Sequence, residues 1–96
     1  MVGEPFKAKI FGKFNFKSKL EYLEGDTCKD LAPANRKKAS AIEPYDTCVI
    51  MWSEPGCTGL SKAVKKDTAN RENFKLLNFD NILSSVGPCP KLCCSK

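Results

Sequence analysis

Asp80-Asn81-Ile82-Leu83-Ser84-Ser85 is the stretch that decides the fold. Two oxygen-bearing side chains come first, then two apolar residues, then two hydroxyls. Asp and Asn start turns by bonding their own backbone, so alone the hexapeptide reads as a turn entering a strand. Upstream lies Trp52-Ser53-Glu54-Pro55-Gly56-Cys57-Thr58-Gly59, an aromatic followed by a turn-rich stretch and a glycine. A more worn copy of both elements precedes them. Phe11-x4-Phe16-x-Ser18 repeats the aromatic spacing, with Ser in the place of the glycine, and Asn35-Arg36-Lys37-Lys38-Ala39-Ser40 takes the place of the hexapeptide.

An aromatic-x4-(aromatic or Cys)-x-Gly hairpin followed by [DN]-[DN]-x-x-[ST]-S resembles one Greek-key motif of the βγ-crystallin superfamily. Two such motifs make one domain. The resemblance implies an all-β, βγ-crystallin-like sandwich of two Greek keys, with about eight short strands and little helix. Motif one would cover residues 6–43 and motif two residues 47–88, with a Cys-rich extension at 89–96, all in a single domain.

Residue patterning agrees with strands. Phe6, Ala8, Ile10, Phe14, Phe16, Leu20 and Tyr22 fall on even positions, and Lys7, Lys9, Lys13, Lys17 and Lys19 on odd ones. Strand side chains alternate between faces, so a hairpin turning between Gly12 and Ser18 would bury the even set and show the lysines to water. Phe11 stands on the lysine side, where the resembled family packs this aromatic over the folded hairpin. Further strands are expected at Ala39–Ile42, Cys48–Trp52, Leu60–Val64, Phe74–Phe79 and Leu83–Val86, with Pro44-Tyr45-Asp46 linking the motifs and residues 65–73 in a loop.

Six cysteines among 96 residues are many. Cys28, Cys48, Cys57, Cys89, Cys93 and Cys94 read as three disulfides stapling a small secreted fold whose core is modest. Residues alone leave the pairing open. The resemblance implies one bond, Cys48–Cys89, because the first and last strands of a motif lie side by side; Cys93 and Cys94 would then reach Cys28 and Cys57. With no histidine and no pair of C-x-x-C arms, a zinc site is not expected. Met1-Val2-Gly3-Glu4-Pro5 has no apolar leader run, so secretion is argued from the cysteines, for a mature chain with a start Met.

Calcium is the cofactor that the resemblance brings into question. In that family the hexapeptide loops of the two motifs interlock, and each calcium takes carbonyls and a side chain from one loop and a hydroxyl from the other. The later loop offers Asp80, Asn81, the Ile82 carbonyl and the Ser84 hydroxyl. The earlier loop has Arg36 where an acid or amide is expected, and Ala39 where the hydroxyl is expected. Weak calcium binding or none is the expectation, and no other cofactor.

The net charge of +5 suits an anionic partner. The lysine face is the candidate surface, and an anionic membrane or cell-wall polymer, or a host or competitor protein, the candidate partner. Nucleic acid is not expected, because the hairpin aromatics would point away from the lysines. Without histidine or a recognisable nucleophile setting the chain does not read as an enzyme. The composite resembles the secreted branch of the superfamily, which implies an antimicrobial, killer-toxin-like or host-directed effector role for a monomer. Two other classes compete: a protease inhibitor on the same fold, using a rigid loop at Glu54–Thr58 or Lys65–Asn73, and a calcium-stabilised structural protein.

Overall fold

The computed structural model describes residues 5–89 and is all-β. Seven strands run in the order β1 (Phe6–Lys13), β2 (Lys17–Gly25), β3 (Lys29–Asp30), β4 (Ala41–Glu43), β5 (Val49–Glu54), β6 (Thr58–Val64) and β7 (Ser85–Pro88). One 3-10 turn, Pro33–Asn35, separates β3 from β4. The strands form two antiparallel sheets, ordered β2-β1-β4 and β3-β7-β5-β6. Strand β3 comes from the first half of the chain but pairs with β7 of the second, so the first half lends a strand to the second half's sheet.

Between the sheets lie Phe6, Ala8, Ile10, Val49, Met51 and Val86, all excluded from water. Within β1 the expected alternation holds through Ile10. There the register steps from Ile10↔Glu21 to Phe11↔Lys19, leaving Leu20 as an extra residue on β2. Such a bulge shifts every later side chain to the other face. Tyr22, expected inside, therefore pairs with Lys9 and is 41% exposed, while Leu23 opposite Ala8 takes the inner place. Phe16 is also corrected outward, at 36% exposure. Its ring meets Phe11 edge-on at 5.5 Å, and Phe11 is buried by that fold-over, as the resemblance implied.

The strand expected at Phe74–Phe79 does not form. Overlapping turns replace it: Leu77 N–H donates to the Phe74 carbonyl at 3.1 Å and Phe79 N–H to the same carbonyl at 2.9 Å. Both phenylalanines are buried, with ring centroids 6.3 Å apart. Residues an odd number apart on a strand face opposite ways. Only a coiled segment can put both rings in one core, and each such ring stabilises by about 1.5–3 kcal/mol when buried. The eighth strand survives as an irregular run beside β4, where Ile42 N–H donates to Arg71 O and Phe74 N–H to Ser40 O, each at 2.9 Å.

Two disulfides tie the described residues together. Cys48–Cys89 joins the start of β5 to the end of β7, with a Cα separation of 5.5 Å. Cys28–Cys57 joins the approach to β3 to the β5–β6 turn, with a Cα separation of 6.0 Å. The second pairing corrects the expectation that Cys28 and Cys57 bond to the tail. Gly87 makes it fit, since a Cβ there would lie 3.1 Å from Cys57 Sγ. Cys93 and Cys94 lie outside the described residues.

Candidate functional site

The two loops interlock, and their backbone hydrogen bonds come in matched pairs. Ser40 N–H donates to Phe11 O, and Ser84 N–H to Trp52 O, both at 2.8 Å. Lys37 N–H donates to Leu83 O at 2.8 Å, and Asn81 N–H to Ala39 O at 3.0 Å. Phe74 N–H donates to Ser40 O at 2.9 Å, and Leu31 N–H to Ser84 O at 3.0 Å. Lys37 and Asn81 share a left-handed backbone, φ 58° and 59°. All these pairs set Ser40 equivalent to Ser84 and Arg36 equivalent to Asp80. The counterpart of Asp80–Ser85 is therefore Arg36–Ala41, one residue later than the sequence match at Asn35–Ser40. The first loop has its hydroxyl, at Ser40, and Ala39 answers to Leu83.

The hairpins repeat in the same way. Asn15, Phe16 and Ser18 are left-handed, as are Gly56, Cys57 and Gly59 at the corresponding places. In the second hairpin Gly59 is needed: a Cβ would run into Ser53 Oγ and come within 2.9 Å of Glu54 Cγ. The room it leaves lets Ser53 Oγ accept the Leu60 N–H at 2.8 Å.

The side chains of the two equivalent positions differ. At one, the Ser40 hydroxyl donates to Asp80 Oδ1 at 2.7 Å, a charge-assisted bond between the two loops. Asn81 Nδ2 donates to the other carboxylate oxygen at 3.4 Å. At the second position the acid is replaced by Arg36. Its Nε donates to Leu31 O at 2.9 Å and its guanidinium lies 3.9 Å from the Asp30 carboxylate. The Ser84 hydroxyl, wholly buried, is left with no hydrogen-bond partner among the described residues. Such an orphan costs about 1–3 kcal/mol. Asp80 thus meets Ser40, and the structure does not unite it with Ser84 in one set.

Calcium asks for about six to eight hard oxygens. The Asp80–Ser40 position supplies two of these, a carboxylate and a hydroxyl already in contact. The Ser84 position has no such carboxylate, because Arg36 stands in the place of the acid; the neighbouring Lys37 sends its Nζ to Ser53 O at 2.9 Å and pairs with Glu54 at 3.3 Å. Among the described residues no three His, Cys, Asp or Glu side chains gather as metal ligands.

The hairpin lysines are distributed unevenly. Lys7, Lys13, Lys17 and Lys19 are exposed and Lys9 is half-buried. At the base, acids interleave: Lys7 lies across from Glu24, and Lys9 across from Glu43 on β4. At the tip, Lys13 faces Lys17, and Lys19 faces Phe11. Lys75 lies over the Phe14 ring at 5.8 Å and Arg71 over the Phe16 ring at 5.9 Å. The Glu72 backbone carbonyl accepts the Asn15 N–H at 2.8 Å, which ties the tip to the 71–75 run. Tyr22 is edge-on to Tyr45, and its hydroxyl donates to Glu24 at 2.8 Å, which holds the phenol above its ordinary pKa.

Neither a family model nor a curated protein matches the sequence. Solved structures match the fold. A βγ-crystallin from an archaeon is 12% identical, covered over 98% of its length by 88% of this chain, with a TM-score of 0.68. A βγ-crystallin from Ciona intestinalis is 22% identical over 86% of this chain and 99% of its own, also with a TM-score of 0.68. A clostrillin double mutant in complex with nickel is 14% identical over 84% of this chain and 94% of its own, with a TM-score of 0.59.

Proposed function

We propose that this chain, which has the βγ-crystallin fold, is a secreted monomer that adheres to anionic surfaces through the tip of its first hairpin. An antimicrobial or host-directed role at a membrane or cell wall follows from that chemistry. One observation carries the reading. Elsewhere three basic groups are in ion pairs, Arg36 with Asp30, Lys37 with Glu54 and Lys66 with Asp46, while Lys29, Lys38, Lys62, Lys65, Arg71 and Lys75 are scattered and in none among the described residues. None of the five hairpin lysines makes an ion pair among the described residues, and Lys13 and Lys17 face each other in register. Two disulfides in so short a chain support an oxidising compartment.

Each lysine near an anionic membrane contributes about 1 kcal/mol, screened over about 8 Å at physiological salt. Replacing Lys13, Lys17 and Lys19 with Gln should weaken binding to phosphatidylserine-containing vesicles or wall preparations by roughly a hundredfold at low salt and flatten the salt dependence. Replacing Lys7 and Lys9, which face acids, should cost far less. If the triple variant binds like its parent, the lysines are a solvated face. The turn Glu54–Thr58, braced by Cys28–Cys57 and by Gly56 N–H on Asp30 at 2.7 Å, would then lead as a protein-facing, inhibitor-like surface.

A second reading, a calcium-stabilised domain, is favoured by the Ser40–Asp80 contact. Asp80, Ser40 and the Ile82 carbonyl would hold the ion. Bound there, it would bridge the two loops and raise stability without chemistry of its own.

A further inference from the structure

Resting on the adhesion reading above, we propose that the partner of the hairpin tip is an anionic lipid bilayer. The surface that meets it is built from two segments, residues 13–19 and 71–75, and the Phe14 ring enters the boundary between headgroups and acyl chains. The first segment brings Lys13, Lys17 and Lys19, and the second brings Arg71 and Lys75, with Glu72 as the one acid in either. The segments meet where the Asn15 N–H donates to Glu72 O at 2.8 Å. Arg71 then lies over the Phe16 ring at 5.9 Å and Lys75 over the Phe14 ring at 5.8 Å. None of these cations is in an ion pair among the described residues.

The second hairpin shows what the turn itself requires. Asn15, Phe16 and Ser18 answer to Gly56, Cys57 and Gly59, so Lys13, Phe14 and Lys17 answer to Glu54, Pro55 and Thr58. Lys13 faces Lys17 just as Glu54 faces Thr58. The turn therefore closes without the two lysines and without an aromatic at the place of Phe14. Phe16 has a structural duty, since it folds over Phe11. Phe14 has no such partner among the described residues. It is half-buried, yet the half-buried side chains packed on the core are Leu20, Leu23, Leu77 and Ile82. Its ring lies instead under the Lys75 ammonium. A ring outside the core, flanked by unpaired cations, is amphipathic: the ring gains by leaving water, and the ammonium groups gain by meeting phosphate. A lipid-free polyanion answers only the charges. A bilayer with anionic headgroups answers both.

The test is binding of the intact, oxidised chain to vesicles of phosphatidylcholine and phosphatidylserine in equal parts, beside retention on a lipid-free heparin resin. The variants are Phe14→Ser, Phe14→Trp and Lys75→Gln, each shown to be folded by its thermal melt. Phe14→Ser should weaken vesicle binding about tenfold and leave retention on heparin unchanged. Lys75→Gln should weaken both, the vesicles by about fivefold at low salt. Brominated phosphatidylserine should quench the emission of Phe14→Trp well beyond that of the parent, whose own Trp52 sets the baseline. If the parent binds neither vesicles nor resin, the adhesion reading falls and this proposal with it. If the parent binds both, while Phe14→Ser binds vesicles like the parent and Phe14→Trp is quenched no more than the parent, the partner is a polyanion such as a wall polymer. The adhesion reading then stands and the bilayer proposal fails. It also fails if Lys75→Gln binds vesicles like the parent, because the 71–75 segment would then lie outside the surface.

Discussion

Ser18 and Gly59 occupy equivalent places in the two hairpins, with φ 59° and 86°. Replacing Ser18 with Gly tests whether that equivalence has energetic content. A residue with a Cβ costs about 1–2 kcal/mol in the left-handed region. Glycine relieves this but gives the unfolded chain more freedom, which returns about 0.5–1 kcal/mol. Ser18 is exposed, so its side chain has little packing to lose. The net expectation is a gain of about 0.5–1 kcal/mol, or a melting temperature raised by roughly 2–8 °C. The opposite exchange, Gly59→Ala, adds both the strain and the collision with Ser53 Oγ and Glu54 Cγ, and should cost about 2–3 kcal/mol. Thermal melts followed by far-ultraviolet circular dichroism, with urea midpoints on the same oxidised samples, read both effects. A Ser18→Gly protein that melts at or below the parent would refute the reasoning, because the first hairpin would then not need the glycine geometry of the second.

Removing the Cys28–Cys57 bond, which closes a sequence separation of 29, should cost about 3–4 kcal/mol by the chain-entropy argument. Non-reducing peptide mapping should recover Cys28 with Cys57 and Cys48 with Cys89, and a peptide joining Cys28 to the 93–94 pair would reject the arrangement. Ser40→Ala should cost about 1–3 kcal/mol by stripping Asp80 of its donor, and should abolish any calcium-induced rise in melting temperature. A rise that persists in Ser40→Ala would place the ion elsewhere.

How far the sequence could be read differs from feature to feature. The hairpin at Trp52–Gly59 was legible because its aromatic, its Cys and its glycine each do a distinct steric job. The alternation of Phe6, Ala8 and Ile10 was legible because β1 is regular there. It failed at Tyr22 because the bulge at Leu20 inserts one residue, and no side chain announces a bulge. Phe74–Phe79 looked like a strand because short apolar runs do not reveal their period. What decided it was the need of two rings for one core. The first loop was read one residue early because Ser40 was matched to the second serine of the pair Ser84-Ser85. Its true partner is the first, and Ala41 stands where Ser85 stands. The interlock is written in backbone N–H and C=O groups, which carry no residue code. Arg36 looked like the simple loss of a ligand; its contacts with Leu31 and Asp30 needed coordinates, as did the reach of Lys37 to Ser53, which cannot be foreseen from spacing.

The matched bonds between the loops also bear on how the chain acquires its structure. Lys37, Ser40 and Leu31 in the first half find their hydrogen-bond partners at Leu83, Phe74 and Ser84 in the second. Neither half can close its own ladder, so a fragment ending before β5 would leave these polar groups to water and should stay unfolded. Formation of the native state must wait for residues distant along the chain to meet, and loop closure is charged before any of those contacts gives a return. Folding should therefore be a single slow event, in the milliseconds-to-seconds range of all-β topologies, with no populated half-folded species. In the finished sheet β6 is the edge strand, exposed along most of its length, and Lys62 near its middle is the residue placed to keep one molecule from pairing with another.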